Sequence, residues 1–246
     1  MPSVPQLDVG DLGTILSVWA HPDDETYGCG AIMADATKRG QRVVCVTATR
    51  GERGSTDEAR WPNGPDLARV RTAELTESLA VLGVHEHHWL DYADGGCAEV
   101  PRAEGVARVR EILDAVQPDS VLCFGPDGGT WHPDHIATSG WATAAAAGTG
   151  ARVLHSMHTA QWGQFMTAQF DPSAVMMSER APVFAPREAF ALLYEAEGEL
   201  LDLKYRAMLR QESQVGPMLA RLGEQNYRFM LAEEGFVPAE YNESPH

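Results

Sequence analysis

Short, unbroken apolar runs alternate along the chain with longer stretches whose apolar positions recur every three to four residues. The runs at 14–20, 42–48 and 120–124 are apolar almost throughout, as strands buried on both faces are. Residues 87–92 and 152–158 read as further strands. Between them, 28–39 predicts a helix closed by Gly40. Residues 66–82 predict another, with Leu67, Val70, Leu75, Leu79 and Leu82 on one face and Gly83 as its cap. Helices are predicted over 103–116, with Pro118 as a stop, and over 133–147. The stretch 49–65 is a loop rich in Gly, Pro and charge, 161–187 has no clean period, and 188–211 reads as a long acidic helix. Strand and helix in alternation predict βαβ crossovers: an α/β, Rossmann-like fold with a mainly parallel sheet and helices on both faces. No repeat or linker interrupts 1–246, so the whole chain reads as a single domain.

Charge narrows the partners. The chain has 19 Lys and Arg against 35 Asp and Glu, a formal net charge of −16. That balance argues against nucleic acid and anionic membrane surfaces. The acid is spread along the chain, as on a solvated surface. No apolar stretch is long enough to span a bilayer. Four cysteines (Cys29, Cys45, Cys97, Cys123) form no C-x-x-C pair, and the first residues lack a leader-like pattern, so a cytoplasmic protein is expected.

The candidate chemistry lies where two predicted strands end. Ala20-His21-Pro22-Asp23-Asp24-Glu25 follows the first run, and His132-Pro133-Asp134-His135 follows the loop after 120–124. In open α/β sheets the carboxyl ends of strands carry the site. Asp-Asp-Glu before a helix is ordinarily capping and dipole compensation. Two such clusters at two strand-to-helix junctions point instead to one metal centre. His21, Asp24 and His135 supply two imidazoles and a carboxylate, a set suited to catalytic zinc and also to iron(II). Asp23 suits a general base for water, His132 an acid or electrostatic stabiliser, and Asp134 the carboxylate that orients the His132 imidazole. Glu25 reads as structural, and His85, His87, His88, His155 and His158 as surface, edge or structural histidines.

At these residues the chain resembles the PIG-L/LmbE-like family of zinc-dependent deacetylases. The resemblance rests on A-H-P-D-D-E at 20–25 and G-P-D-G-G-x-x-H-P-D-H at 125–135. It is supported by T-R-G-E at 49–52, R-x-x-E-L at 71–75, L-D-Y-x-D-G at 90–95 and K-x(8)-S-Q at 204–214. It implies a Rossmann-like layer and a zinc-dependent amidohydrolase that removes acetyl from an N-acetylglucosamine-type sugar or conjugate. It implies His21, Asp24 and His135 as ligands, Asp23 as base and His132 with Asp134 as stabiliser and partner. Sugar-contacting positions fall on Glu52, Arg71, Asp94 and Gln214, and Arg50 is a further candidate. The family often forms homo-oligomers, and its substrate is a small N-acetylated molecule.

Two departures stand out. Thr130 occupies the place of a tyrosine found in the mycothiol-pathway members, and Trp131 that of a residue often glycine. Gln211 stands where the late motif usually has histidine. Trp131 is expected at the pocket mouth, stacking on a sugar or aglycone or simply packing. The rival readings are a non-haem iron enzyme using the His/Asp/His set and a metal-dependent sugar-binding protein without turnover.

Overall fold

The computed structural model describes residues 4–169 and 176–243. Its first strands form where the apolar runs demand them: β1 (Ile15–Trp19), β2 (Val43–Thr49) and β4 (Ser120–Phe124) are buried along their whole length. With β3 (Glu86–Tyr92) and β5 (Arg152–Ser156) they pair in parallel. Two more strands, β8 (Leu192–Glu195) and β9 (Glu233–Pro238), extend the sheet antiparallel, giving the order β3-β2-β1-β4-β5-β9-β8. A small parallel pair, β6 (His158–Thr159) and β7 (Phe184–Ala185), lies outside it.

Period-two alternation splits β1 between two cores. Ile15 and Trp19 join Ile32, Leu75 and Leu79 on one face. Leu16 and Val18 join Val109, Leu113 and Trp141 on the other. The first face is covered by α1 (Asp24–Lys38), α2 (Pro65–Val81) and α6 (Gly198–Met208), and the second by α3 (Arg102–Val116) and α4 (Pro133–Ala146). The strand order reverses at β1 and β4, so the loops leaving their carboxyl ends flank a crevice.

The end of the chain differs from its sequence reading. The acidic helix expected over 188–211 is a 3-10 turn (Arg187–Ala189), β8 and the shorter α6. Ala191 and Leu192 are buried against Phe236, and β8 is held by pairing with β9, which outweighs local helix propensity. The aperiodic 161–187 stretch carries most of α5 (Ala160–Gln169), and α7 (Glu212–Ala232) follows α6. Among the described residues no helix is long and apolar enough to cross a membrane.

Candidate metal and catalytic site

The two motifs meet in the crevice. His21 leaves β1, Asp24 opens α1, and His135 stands in the first turn of α4. His21 Nδ1 lies 3.1 Å from His135 Nε2 and 3.4 Å from Asp24 Oδ2, and the last two atoms are 3.5 Å apart. Ligands about 2.0–2.1 Å from a tetrahedral ion stand roughly 3.3 Å from one another. The triangle therefore has the dimensions of a zinc-type site.

Hydrogen bonds fix which nitrogen of each ring is free. His135 Nδ1 lies 2.9 Å from the Gly128 carbonyl, which only an N–H can satisfy, so Nε2 keeps its lone pair. His21 Nε2 faces Asp94 Oδ1 at 3.1 Å and Asp134 Oδ2 at 3.2 Å, which holds a proton there and turns Nδ1 to Asp24 and His135. Two ring nitrogens and a carboxylate oxygen that also accepts the His21 backbone N–H (2.7 Å) then converge, an arrangement a cation in place of protons resolves. A second close set, His21 with Asp94 and Asp134, is also dense in ligand-type atoms. Its carboxylates are otherwise engaged. Asp134 accepts the N–H groups of Gly95 and Cys97, and Asp94 accepts that of Arg53.

The electrostatics follow from burial and pairing. Burial opposes charge on both Asp24 and His21. Yet His135 and His21 bring Asp24 down to about 2, and Asp134, Asp24 and Asp94 raise His21 well above the ordinary imidazole value. Burial lowers His135 to about 4 against the pull of Asp24. Burial also pushes Asp23 up to about 8, opposed by the Arg71 guanidinium 3.5 Å away.

Asp23 sits at an unusual backbone angle for a residue with a side chain, φ 97°. The Glu25 carboxylate accepts its N–H at 3.1 Å. Glu25 is fully buried, meets the Thr26 hydroxyl, accepts from Gln211 Nε2 at 3.0 Å, and is raised to about 7 chiefly by burial. The sequence reading placed Glu25 on a helical turn for structural reasons. It stands in the first turn of α1, where its carboxylate holds Asp23 beside the site and Gln211 is its partner.

The remaining candidates fall into place unevenly. The His132 ring centroid lies 4.8 Å from those of both His21 and His135, and His132 Nδ1 accepts the Asp134 backbone N–H. The Asp134 carboxylate thus bonds to His21, whereas the expected pairing with the His132 imidazole is made by its backbone. Arg71 is only 4% exposed and donates to the carbonyls of Gly51 and Pro22, so it braces the loops flanking Asp23. Asp94 is taken up by His21 and Arg53, and Glu52 accepts the Asp94 N–H at 2.9 Å. Gln214 bonds to its neighbour Ser213, and Arg50 pairs with Asp91 and lies over Trp89. Trp131, at φ 61°, donates from Nε1 to the Ala181 carbonyl and carries the Arg180 guanidinium 4.6 Å from its ring.

A family model described as GlcNAc-PI de-N-acetylase (PIG-L) matches residues 16–146, the span from β1 through α4. A 1D-myo-inositol 2-acetamido-2-deoxy-alpha-D-glucopyranoside deacetylase of Mycobacterium sp. (strain KMS) is 37% identical over 151 residues, which are 53% of this chain and 49% of the relative. The match thus spans about half the length of that relative. The fold is shared with an N,N'-diacetylchitobiose deacetylase from Pyrococcus horikoshii (TM-score 0.62, 24% identity, 94% of this chain and 86% of that one). It is also shared with GalB, the 4-carboxy-2-hydroxymuconate hydratase of Pseudomonas putida KT2440 (TM-score 0.56, 16% identity, 95% and 97%).

Proposed function

The chain belongs to the PIG-L family, and from that premise we propose that it is a zinc-dependent hydrolase cleaving the N-acyl amide of an N-acetylglucosamine-type sugar or conjugate. The fold alone does not carry this, since a fold hosts unrelated chemistries. What carries it is the convergence of three ligand-type atoms, His21 Nδ1, Asp24 Oδ2 and His135 Nε2, within 3.1–3.5 Å of one another. A divalent ion held by these residues would supply Lewis acidity and ease deprotonation of water near neutral pH.

The chain's own groups do the rest. Asp23 takes the proton of the attacking water; with its pKa pushed up to about 8 by burial, its basicity is matched to neutral pH. The new bond joins the water oxygen to the carbonyl carbon, the C–N bond breaks, and the amine departs with a proton. His132 accepts at Nδ1, so its proton is at Nε2, available to the developing oxyanion or the leaving nitrogen. Arg71 sits behind Asp23 and tempers its basicity; Asp94 and Asp134 hold His21 in its ligand tautomer. Glu52 would bear on the substrate through Asp94, whose N–H it accepts. The four cysteines are buried and free, in keeping with a reducing cytoplasm.

The test is amide hydrolysis by zinc- and iron(II)-loaded protein on N-acetylglucosamine and its conjugates, with elemental analysis of the protein as purified. Carboxylate release that disappears on chelation and returns with metal is the expected result. Tight metal binding without turnover of any N-acylated sugar would leave a binding protein instead.

A further inference from the structure

A cavity of about 320 Å³ opens on the site from the side of Asp24 and His135. Its size is that of a pocket for a small organic group rather than a lone water. Trp162, Met166, Met218, Met230 and Phe184 form much of its wall. Several polar side chains on the wall are engaged within the protein. Asp127 accepts the Gly129 N–H, Thr167 donates to the carbonyls of Gly163 and Gln164, and His158 stacks on Trp162 at 3.7 Å. Thr130, Ser156 and Asp127 leave a few polar points on a wall that is otherwise mainly apolar. The groups suited to a sugar, Asp23, Glu52 and His132, are not part of it.

An amide at the site has two arms. The nitrogen carries the sugar, and the carbonyl carbon carries the acyl chain. With the carbonyl at the three ligand atoms, the arm entering an apolar cavity must itself be apolar. Methionine side chains are flexible and polarisable, so they mould around an unbranched alkyl chain. The outer wall, Pro182 to Phe184, belongs to a segment tied down by two bonds: Met177 N–H to the Thr130 carbonyl (2.8 Å) and Trp131 Nε1–H to the Ala181 carbonyl (3.1 Å). The Thr130 backbone and the Trp131 indole therefore fasten the cavity's outer wall.

We infer that the substrate's acyl group is longer than acetyl: the enzyme releases a medium-chain fatty acid from an N-acylated amino sugar. This rests on the amidohydrolase reading above and changes only the chain. Water's oxygen still joins the carbonyl carbon, the C–N bond still breaks, and a carboxylate and an amine are the products.

The experiment is a chain-length series of N-acylglucosamines (acetyl, butanoyl, hexanoyl, octanoyl, decanoyl) assayed by amine release with zinc-loaded protein. The octyl glycoside of N-acetylglucosamine serves as the arm for a lipophilic aglycone. Each methylene that enters the cavity is expected to raise kcat/KM about fourfold, the equivalent of about 0.8 kcal/mol, until the cavity is full. The octyl glycoside should gain nothing over N-acetylglucosamine. Met218→Trp, which narrows the cavity, should lower the octanoyl-to-acetyl ratio. Calorimetry on metal-free protein gives a second readout: octanoate should bind and acetate should not. Acetyl as the best substrate, with rates falling along the series, overturns the inference and leaves the amidohydrolase reading standing; so does a gain confined to the octyl glycoside. No turnover of any member removes both.

Discussion

Asp23 and Asp24 are adjacent carboxylates with opposite fates, and the difference is local. Asp24 faces two imidazoles and is brought down to about 2; Asp23 is pushed up to about 8 by burial against the pull of one guanidinium. Asp23→Asn should therefore lower kcat by about 10²–10⁴ with zinc content unchanged; undiminished turnover would remove Asp23 from the chemistry. Asp134→Asn tests the support of His21. Its carboxylate spans His21 and the Gly95 and Cys97 N–H groups, so metal affinity should fall roughly 10–100-fold. An unchanged zinc dissociation constant, read by competition with a chelator, would count against this. The ligand-type residues were legible in the sequence because few residue types offer such donors and they cluster at strand ends. Their supports were not. Asp134 stands two residues from His132 in the chain, yet its carboxylate turns to His21, because the loop at 94–97 presents two N–H groups on that side. Glu25 was equally opaque: only the fold brings Gln211, 186 positions away, to its carboxylate.

Helix α1 connects the site to the far end of the chain. It departs from helical geometry at Cys29 (φ −151°), next to Gly28, where a Cβ would stand 2.4 Å from the Trp19 ring. Beyond the break, the N–H groups of Ala31 and Ile32 are accepted by the two oxygens of Glu234 from β9. Lys204 of α6, 1% exposed, sits 2.7 Å from the same carboxylate and donates to the Tyr27 carbonyl before the break. One buried ion pair thus ties both halves of α1 to elements more than 170 residues downstream in sequence. Glu234→Gln strands a buried ammonium and should cost about 3–5 kcal/mol in urea unfolding. Adding Lys204→Met should recover part of that loss, whereas additive losses would show that the pair is not coupled. The first four strands and their helices were readable from periodicity because each buries its own face locally. β8 was not: Leu192, Leu193 and Tyr194 are compatible with an amphipathic helix, and only β9, some forty residues later, makes them a strand.

Over the whole molecule the titrating groups pull in opposite directions, so a single stability curve against pH hides its causes. Burial lowers both His87, on edge strand β3, and His155, in β5, from 6.5 to about 4. As pH falls from 7 toward 4, the unfolded chain takes up protons at these positions before the folded one does, so stability is lost over that window. Asp23 and Glu25 act the other way. Raised to about 8 and 7 when folded, they hold protons that the unfolded chain has released, and they stabilise the acid side of the same window. A difference measurement separates the two. His87→Gln with His155→Gln leaves an amide able to reach the Thr47 and Thr143 hydroxyls that the imidazoles now meet at 3.0 and 2.9 Å. It removes two groups that titrate and leaves Asp23 and Glu25 in place. At pH 7 the double variant should be no more stable than the natural chain. Toward pH 4 it should gain relative stability, on the order of 2–3 kcal/mol per histidine from the size of the shifts. Urea midpoints measured for both chains at pH 7, 5.5 and 4.5 read this directly. Parallel curves would mean that neither histidine changes its affinity for protons on folding.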